Sequence, residues 1–113
     1  MNAQPILHCP VETALDVIGG KYKPLIMFHL LERTHRFGEL SRRIPHATRR
    51  MLTKHLRELE ADGVVHREVY HQVPPKVEYS LTDLGRTLEP VLDAMLQWGL
   101  SYQAARPAVV PAE

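Results

Sequence analysis

The sequence has one cysteine, Cys9, and so cannot close an internal disulfide. Any covalent chemistry of that thiol must involve another molecule. No apolar run approaches the roughly 18 to 20 residues that cross a bilayer, and Met1 to Pro5 lacks the charged start and apolar stretch of a secretion signal. A soluble, cytoplasmic chain with no membrane partner is expected. A glycine-rich phosphate loop, a nucleophile elbow and a catalytic triad are all missing, so the chain is not expected to be an enzyme and no catalytic residue is assigned. Seven histidines occur, but none pairs at i, i+4 spacing or with a Cys-x-x-Cys motif. No metal and no other cofactor is expected, and the histidines read as surface or groove-facing, with His46 and His55 in reach of a nucleic acid. A net charge of one sign is lacking as well, the formal total being only +1.

At 113 residues the chain is long enough for one small domain and has no room for a second lobe. Residues 1 to 8 read as an N-terminal arm, 9 to 104 as the domain, and 105 to 113, aperiodic with Pro107 and Pro111, as a flexible tail. Pro10 fits a first helical position, and Val11, Ala14, Leu15 and Ile18 share one helix face. Gly19-Gly20 ends that helix. Pro24 can open a second one through Leu31, apolar nearly all round and so expected at the centre of the core. Phe37, Leu40 and Ile44 suit a short third helix, and Pro45 to Thr48 a turn ending in a Thr N-cap. A fourth helix carries Leu52, Leu56 and Leu59 at i, i+4, i+7 and stops at Asp62-Gly63. Two β-rich runs follow, 64 to 70 and 77 to 81, joined through Pro74-Pro75 as a hairpin. From a Thr82 cap, one last helix bent at Pro90 would carry an apolar stripe of Leu84, Leu88, Val91, Leu92, Met95, Trp98 and Tyr102.

Helices followed by a two-stranded wing give an α+β fold, mostly α, of winged helix-turn-helix order. The charge, even overall, is concentrated on that motif: Arg33 to Arg57 holds eight Arg or Lys residues against one acid, Glu39. In a helix-turn-helix the second helix enters the major groove while the preceding helix contacts the backbone. Double-stranded DNA is therefore the expected partner. Thr48, Arg49, Arg50 and Thr53 stand where base edges are read, Lys54 and Arg57 where phosphates pass, with Arg36 before the third helix and Lys76 at the wing as further contacts. Arginine suits this role because its planar fork bonds guanine O6 and N7 together. The competing reading is a winged-helix module for protein interaction or small-ligand sensing whose DNA binding is weak or lost.

Seven fragments in order sharpen the assignment: Cys9-Pro10-Val11, Gly19-Gly20-Lys21, Arg36-Phe37 with Glu39-Leu40, Met51-Leu52-Thr53, Leu56 to Glu60 with Asp62-Gly63, Pro74 to Tyr79, and Leu81-Thr82 with Gly85. Together they resemble the HxlR-type family, relatives of the MarR regulators, over residues 8 to 102. The resemblance implies a homodimer joined by its first and last helices that reads a pseudo-palindromic operator. Val11 and Leu15 would then lie in the dimer interface. The stripe Leu88, Leu92, Met95, Trp98 and Tyr102 points there independently, since it is too apolar for a free helix in so small a chain. In part of that family a cysteine at the position of Cys9 senses oxidants or electrophiles, so a small-molecule or oxidant effector is expected, and a helix N-terminus favours a thiolate. Two departures from the family pattern are Tyr22, where Trp is usual, and Ala47-Thr48, where Ile-Ser is usual; Thr48 keeps the capping hydroxyl, while Ala47 gives up a turn anchor.

Overall fold

A computed structural model describes residues 9–106; the expected arm and the tail beyond Arg106 lie outside the described residues. The elements run α1 (Pro10–Ile18), α2 (Tyr22–Glu32), β1 (His35–Arg36), α3 (Phe37–Arg43), α4 (Arg49–Ala61), β2 (Val65–Tyr70), β3 (Lys76–Leu81), α5 (Asp83–Arg86) and α6 (Glu89–Ala105). The core forms where α2, α3 and α4 meet the sheet. Ile26, Met27 and Leu30 of α2 pack with Leu40, Leu52, Leu56, Leu59, Val65 and Leu81, which is the burial the helical periodicity calls for.

Single residues set the boundaries of α4. The Thr48 hydroxyl accepts the Met51 N–H at 3.1 Å, satisfying one of the orphan donors of the first turn. At the other end Gly63 takes φ +81°, and the Val64 and Gly63 amides return to the Leu59 and Glu60 carbonyls. That double closure is a Schellman motif, and its left-handed residue is cheap only for glycine.

The structure corrects the sequence reading in four places. The sheet has three strands in the order β1-β3-β2, all antiparallel, where two were expected; His35-Arg36 adds a short edge strand beside β3. His35 is fully buried rather than at the surface. Its Nδ1 lies 2.8 Å from the Arg33 carbonyl, which requires the proton on Nδ1. The expected long last helix is two helices: α5 ends at Arg86, and Pro90 sits in the first turn of α6, where its missing N–H costs nothing and no bend is needed. Finally, α2 is buried on one face only, Leu25 and Phe28 remaining exposed.

Thr82 links the wing to α5. Its hydroxyl accepts the Gly85 N–H at 2.9 Å and donates to the Gly63 carbonyl at 2.6 Å, so one side chain ties the end of α4 to the start of α5.

The Cα radius of gyration is 16.2 Å, against about 13 Å for a compact chain of this size. Only Ile18 of α1 is buried, and Val11 and Leu15 are 64% and 61% exposed. In α6 only Leu92 is buried, while Val91, Met95, Leu96, Trp98, Leu100 and Tyr102 stay open.

Candidate nucleic-acid interface

Arg49, Arg50, Thr53, Lys54 and Arg57 line a single groove along the solvent face of α4, with Glu58 at its edge. This follows from the helix period: Leu52, Leu56 and Leu59 turn inward, and the basic positions are left on the opposite side. No acid lies in the first turn of α4. Two arginines there oppose the positive end of the helix dipole, which disfavours cations at a helix N-terminus. At Arg50, which has no ion-pair or ring partner among the described residues, the rule is broken without local gain, which points to a requirement outside the fold, and an anion docked at that end would meet both arginines and the first backbone amides of the helix.

The basic residues are not equally available. Arg33 pairs with Glu39 at 3.6 Å, Arg43 with Glu32 at 3.3 Å and Lys54 with Glu58 at 3.1 Å. The Arg49 guanidinium stacks over the Phe37 ring at 4.7 Å, a cation–π contact that braces α4 against α3. Among the described residues, Arg50 and Arg57 have no ion-pair partner. Lys76 stands over the Tyr70 ring at 4.3 Å and 3.8 Å from Glu78, so its charge is partly spent within the wing. Arg36 is exposed at the N-terminus of α3 and does not line the α4 groove. The Thr48 hydroxyl is committed as an acceptor to its cap; its contribution is to orient the arginines that follow.

Three features positioning this face were not legible in the sequence. Glu58 receives Lys23 of α2 at 2.8 Å as well as Lys54, pinning α4 to α2. Hydrogen bonds from Lys23 and then Lys54 hold its carboxyl down to about 2 from the ordinary 4.5. A carboxyl depressed by folding contributes stability above its unfolded value and loses it as pH falls through the folded one. Glu58→Gln is therefore expected to lower the thermal midpoint above pH 4.5 only slightly, since solvent screens so exposed a carboxylate, the gap to the native protein closing as pH falls towards 2; calorimetry across that range checks it. Secondly, the Tyr22 hydroxyl donates to the His46 carbonyl at 3.2 Å. The tyrosine thus fastens the turn before α4, where Ala47 is itself buried in the core, and the turn keeps an anchor despite its small side chain. Thirdly, His55 is turned inward, part-buried beside Tyr22 and 3.7 Å from Glu58, and does not line the α4 groove as expected.

The helices α6 and α1 carry the apolar residues assigned to a dimer interface. Val11, Leu15, Met95, Trp98 and Tyr102 are exposed, and Trp98 stacks on Tyr102 at 5.1 Å. Leu92 is only 2% exposed and belongs to the subunit's own core, against which Leu88 also packs. The α6 stripe is thus divided: its inner edge, with Leu92, closes the core, its outer edge is open, and Leu88 is partly buried between them. Pro24, Leu25, Phe28, Met95 and Leu96 extend the open face onto α2. Cys9 is exposed at the N-cap of α1, its amide donating to Glu12 Oε1 at 3.1 Å.

No helix among the described residues is long and apolar enough to cross a membrane. The family model of the HxlR-like helix-turn-helix matches residues 17–107. The HTH-type transcriptional regulator YybR of Bacillus subtilis is 63% identical over 93 residues, covering 82% of this chain and 74% of its own. Two solved structures of the redox regulator HypR are also similar. Its oxidized form is 63% identical with a TM-score of 0.80, covering 82% of this chain and 96% of that one. The reduced form is 58% identical with a TM-score of 0.83, covering 88% and 99%. A winged fold, a basic helix with a groove-facing surface and these relatives agree: the chain belongs to the HxlR-like helix-turn-helix family and is a transcriptional regulator of the helix-turn-helix type.

Proposed function

We propose that the protein works as a cytoplasmic homodimer that places two α4 helices in successive major grooves of a pseudo-palindromic operator, with no catalytic chemistry of its own. The observation that carries this is the α4 groove, where Arg49 and Arg50 stand at a helix N-terminus that electrostatics alone would keep free of cations. Arg50 is the principal base reader, because no internal partner competes for its guanidinium, and Arg49 reads beside it from a position fixed by Phe37. Arg57 and Lys54 neutralise phosphates, Lys54 by exchanging its Glu58 contact, and Arg36 and Lys76 meet the backbone at the flanks. Replacing Arg50 with Ala is expected to relax base preference at one position of each half-site, at a cost of about 1 to 3 kcal/mol. Lys76→Ala is expected to weaken operator and random duplex alike. Binding measured on both duplexes for both variants separates these roles; equal losses on the two duplexes for Arg50→Ala would remove it as a reader.

The similarity to a redox regulator supports a second element of the proposal, that Cys9 carries the signal. An exposed thiol at the start of a helix that meets the other subunit is placed to alter how the subunits sit. The step is thiol–disulfide exchange. The Cys9 thiolate attacks a small disulfide, one S–S bond forms to Sγ, the other breaks, and the second thiolate leaves. A coupling of about 1 to 3 kcal/mol would change operator affinity roughly 5- to 150-fold. Oxidised glutathione should shift the native protein's affinity reversibly, with mass spectrometry showing the adduct, while Cys9→Ser binds DNA unshifted. A Cys9→Ser protein that responds as the native one does would show that the signal enters elsewhere.

A further inference from the structure

Between α4 and the sheet lies a cleft of about 330 Å3 lined by Thr53, Arg57 and Glu60 of α4, Arg67 of β2 and Tyr79 of β3, and Arg67 and Tyr79 are not among the expected DNA contacts. We propose that this cleft seats one backbone phosphodiester of the bound duplex, so that the sheet joins α4 in holding the DNA. The inference rests on the DNA-binding reading above and adds Arg67 and Tyr79 to it.

Its geometry follows from two periodicities. Thr53, Arg57 and Glu60 stand at i, i+4 and i+7 and therefore form one row on the helix. Arg67 and Tyr79 are direct partners in the β2–β3 register, which puts both side chains on the same sheet face. Two walls of different secondary structure thus converge on one space. Thr53 and Arg57 also line the outer α4 groove, so the cleft opens onto the surface where the duplex would lie.

The chemistry suits an oxyanion. Two guanidiniums offer planar forks that match paired phosphate oxygens, and Thr53 and Tyr79 add hydroxyl donors. Arg33, Arg43, Lys23 and Lys54 each pair with a glutamate, whereas Arg57 and Arg67 have no ion-pair partner among the described residues. Glu60 lines the same cleft, yet no ion pair joins it to either arginine among the described residues. With two cations and one carboxylate the cleft is net positive by one, which balances a singly charged diester.

The test uses Arg67→Gln and Arg67→Lys beside the native protein, on a duplex the native protein selects from random sequence. Circular dichroism first establishes that each variant is folded. For Arg67→Gln the slope of log K against log salt should shrink by about 0.9, one released phosphate contact, with equal loss on selected and random duplexes; Arg67→Lys should keep the slope. Single methylphosphonate linkages should reveal a phosphate whose neutralisation weakens the native protein but not Arg67→Gln. If Arg67→Gln keeps both the native slope and the native methylphosphonate pattern, the cleft holds no backbone phosphate, although DNA binding itself stands. If inorganic phosphate displaces DNA from the native protein beyond the effect of chloride at equal ionic strength, and not from Arg67→Gln, the cleft is a free-anion site and the diester assignment is overturned. A native protein with no salt-dependent duplex binding would instead overturn the functional reading.

Discussion

Met95→Glu is expected to give a folded monomer in sedimentation and to reduce affinity for the selected operator by roughly a thousandfold, towards the non-specific range of about 10⁻⁶ M. Met95 is 48% exposed in the single subunit and lines the apolar surface shared by α2 and α6, so the substitution costs the isolated subunit little. In a two-fold dimer the change enters the interface twice, and each buried carboxylate without a partner costs several kcal/mol. A monomer reaches one half-site only, and the second recognition helix no longer adds its contacts. Leu92 supplies the contrast. Being buried in the subunit's own core, its replacement by Ala should lower stability before it touches assembly. A Met95→Glu protein that sediments as a dimer would move the interface off this surface.

Gly85→Ala is expected to destabilise the fold by about 1 to 3 kcal/mol, the range for overpacking a tight site, and to lower the thermal midpoint by roughly 5 to 20 °C. Helix propensity alone gives the opposite sign, because Ala is favoured over Gly inside a helix by about 0.5 to 1 kcal/mol. Packing decides against it. A Cβ on Gly85 would meet the carbonyl oxygen and carbon of Val64, backbone atoms that cannot rotate away. That same carbonyl accepts the Thr82 amide at 3.2 Å, so moving it would also loosen the cap of α5. Gly38→Ala in α3 serves as control: its new Cβ would meet only the end of the Arg42 side chain, at 3.6 Å, and should be neutral or stabilising. A stabilised Gly85→Ala protein in thermal melts would mean that α5 does not lie against Val64 in solution.

The parts of the fold legible in the sequence are those written by a single residue or by a repeating period. Thr48 and Gly63 mark the ends of α4 by chemistry few other residues supply, and the Leu52, Leu56, Leu59 spacing settles which face turns inward, hence which face carries the arginines. The edge strand β1 was not legible, because His35-Arg36 is too short to show an alternation. Periodicity also shows that α6 is apolar without showing what each side of the stripe meets, so Leu92 and Met95 look alike in sequence although one closes the subunit and the other is open. Contacts between distant elements carry no sequence signal at all. Glu58 of α4 finds Lys23 on α2, and Arg67 meets the α4 row only through the register of the hairpin.

Footprinting of the native protein on the duplex it selects, repeated at rising salt, tests the DNA-reading dimer most directly. Two protected half-sites should appear, their centres about one helical turn or a whole multiple of it apart, with log K falling linearly against log salt as phosphate-bound counterions are released. A single unpaired half-site, or protection that does not change with salt, would contradict a dimer that reads DNA through the basic face of α4.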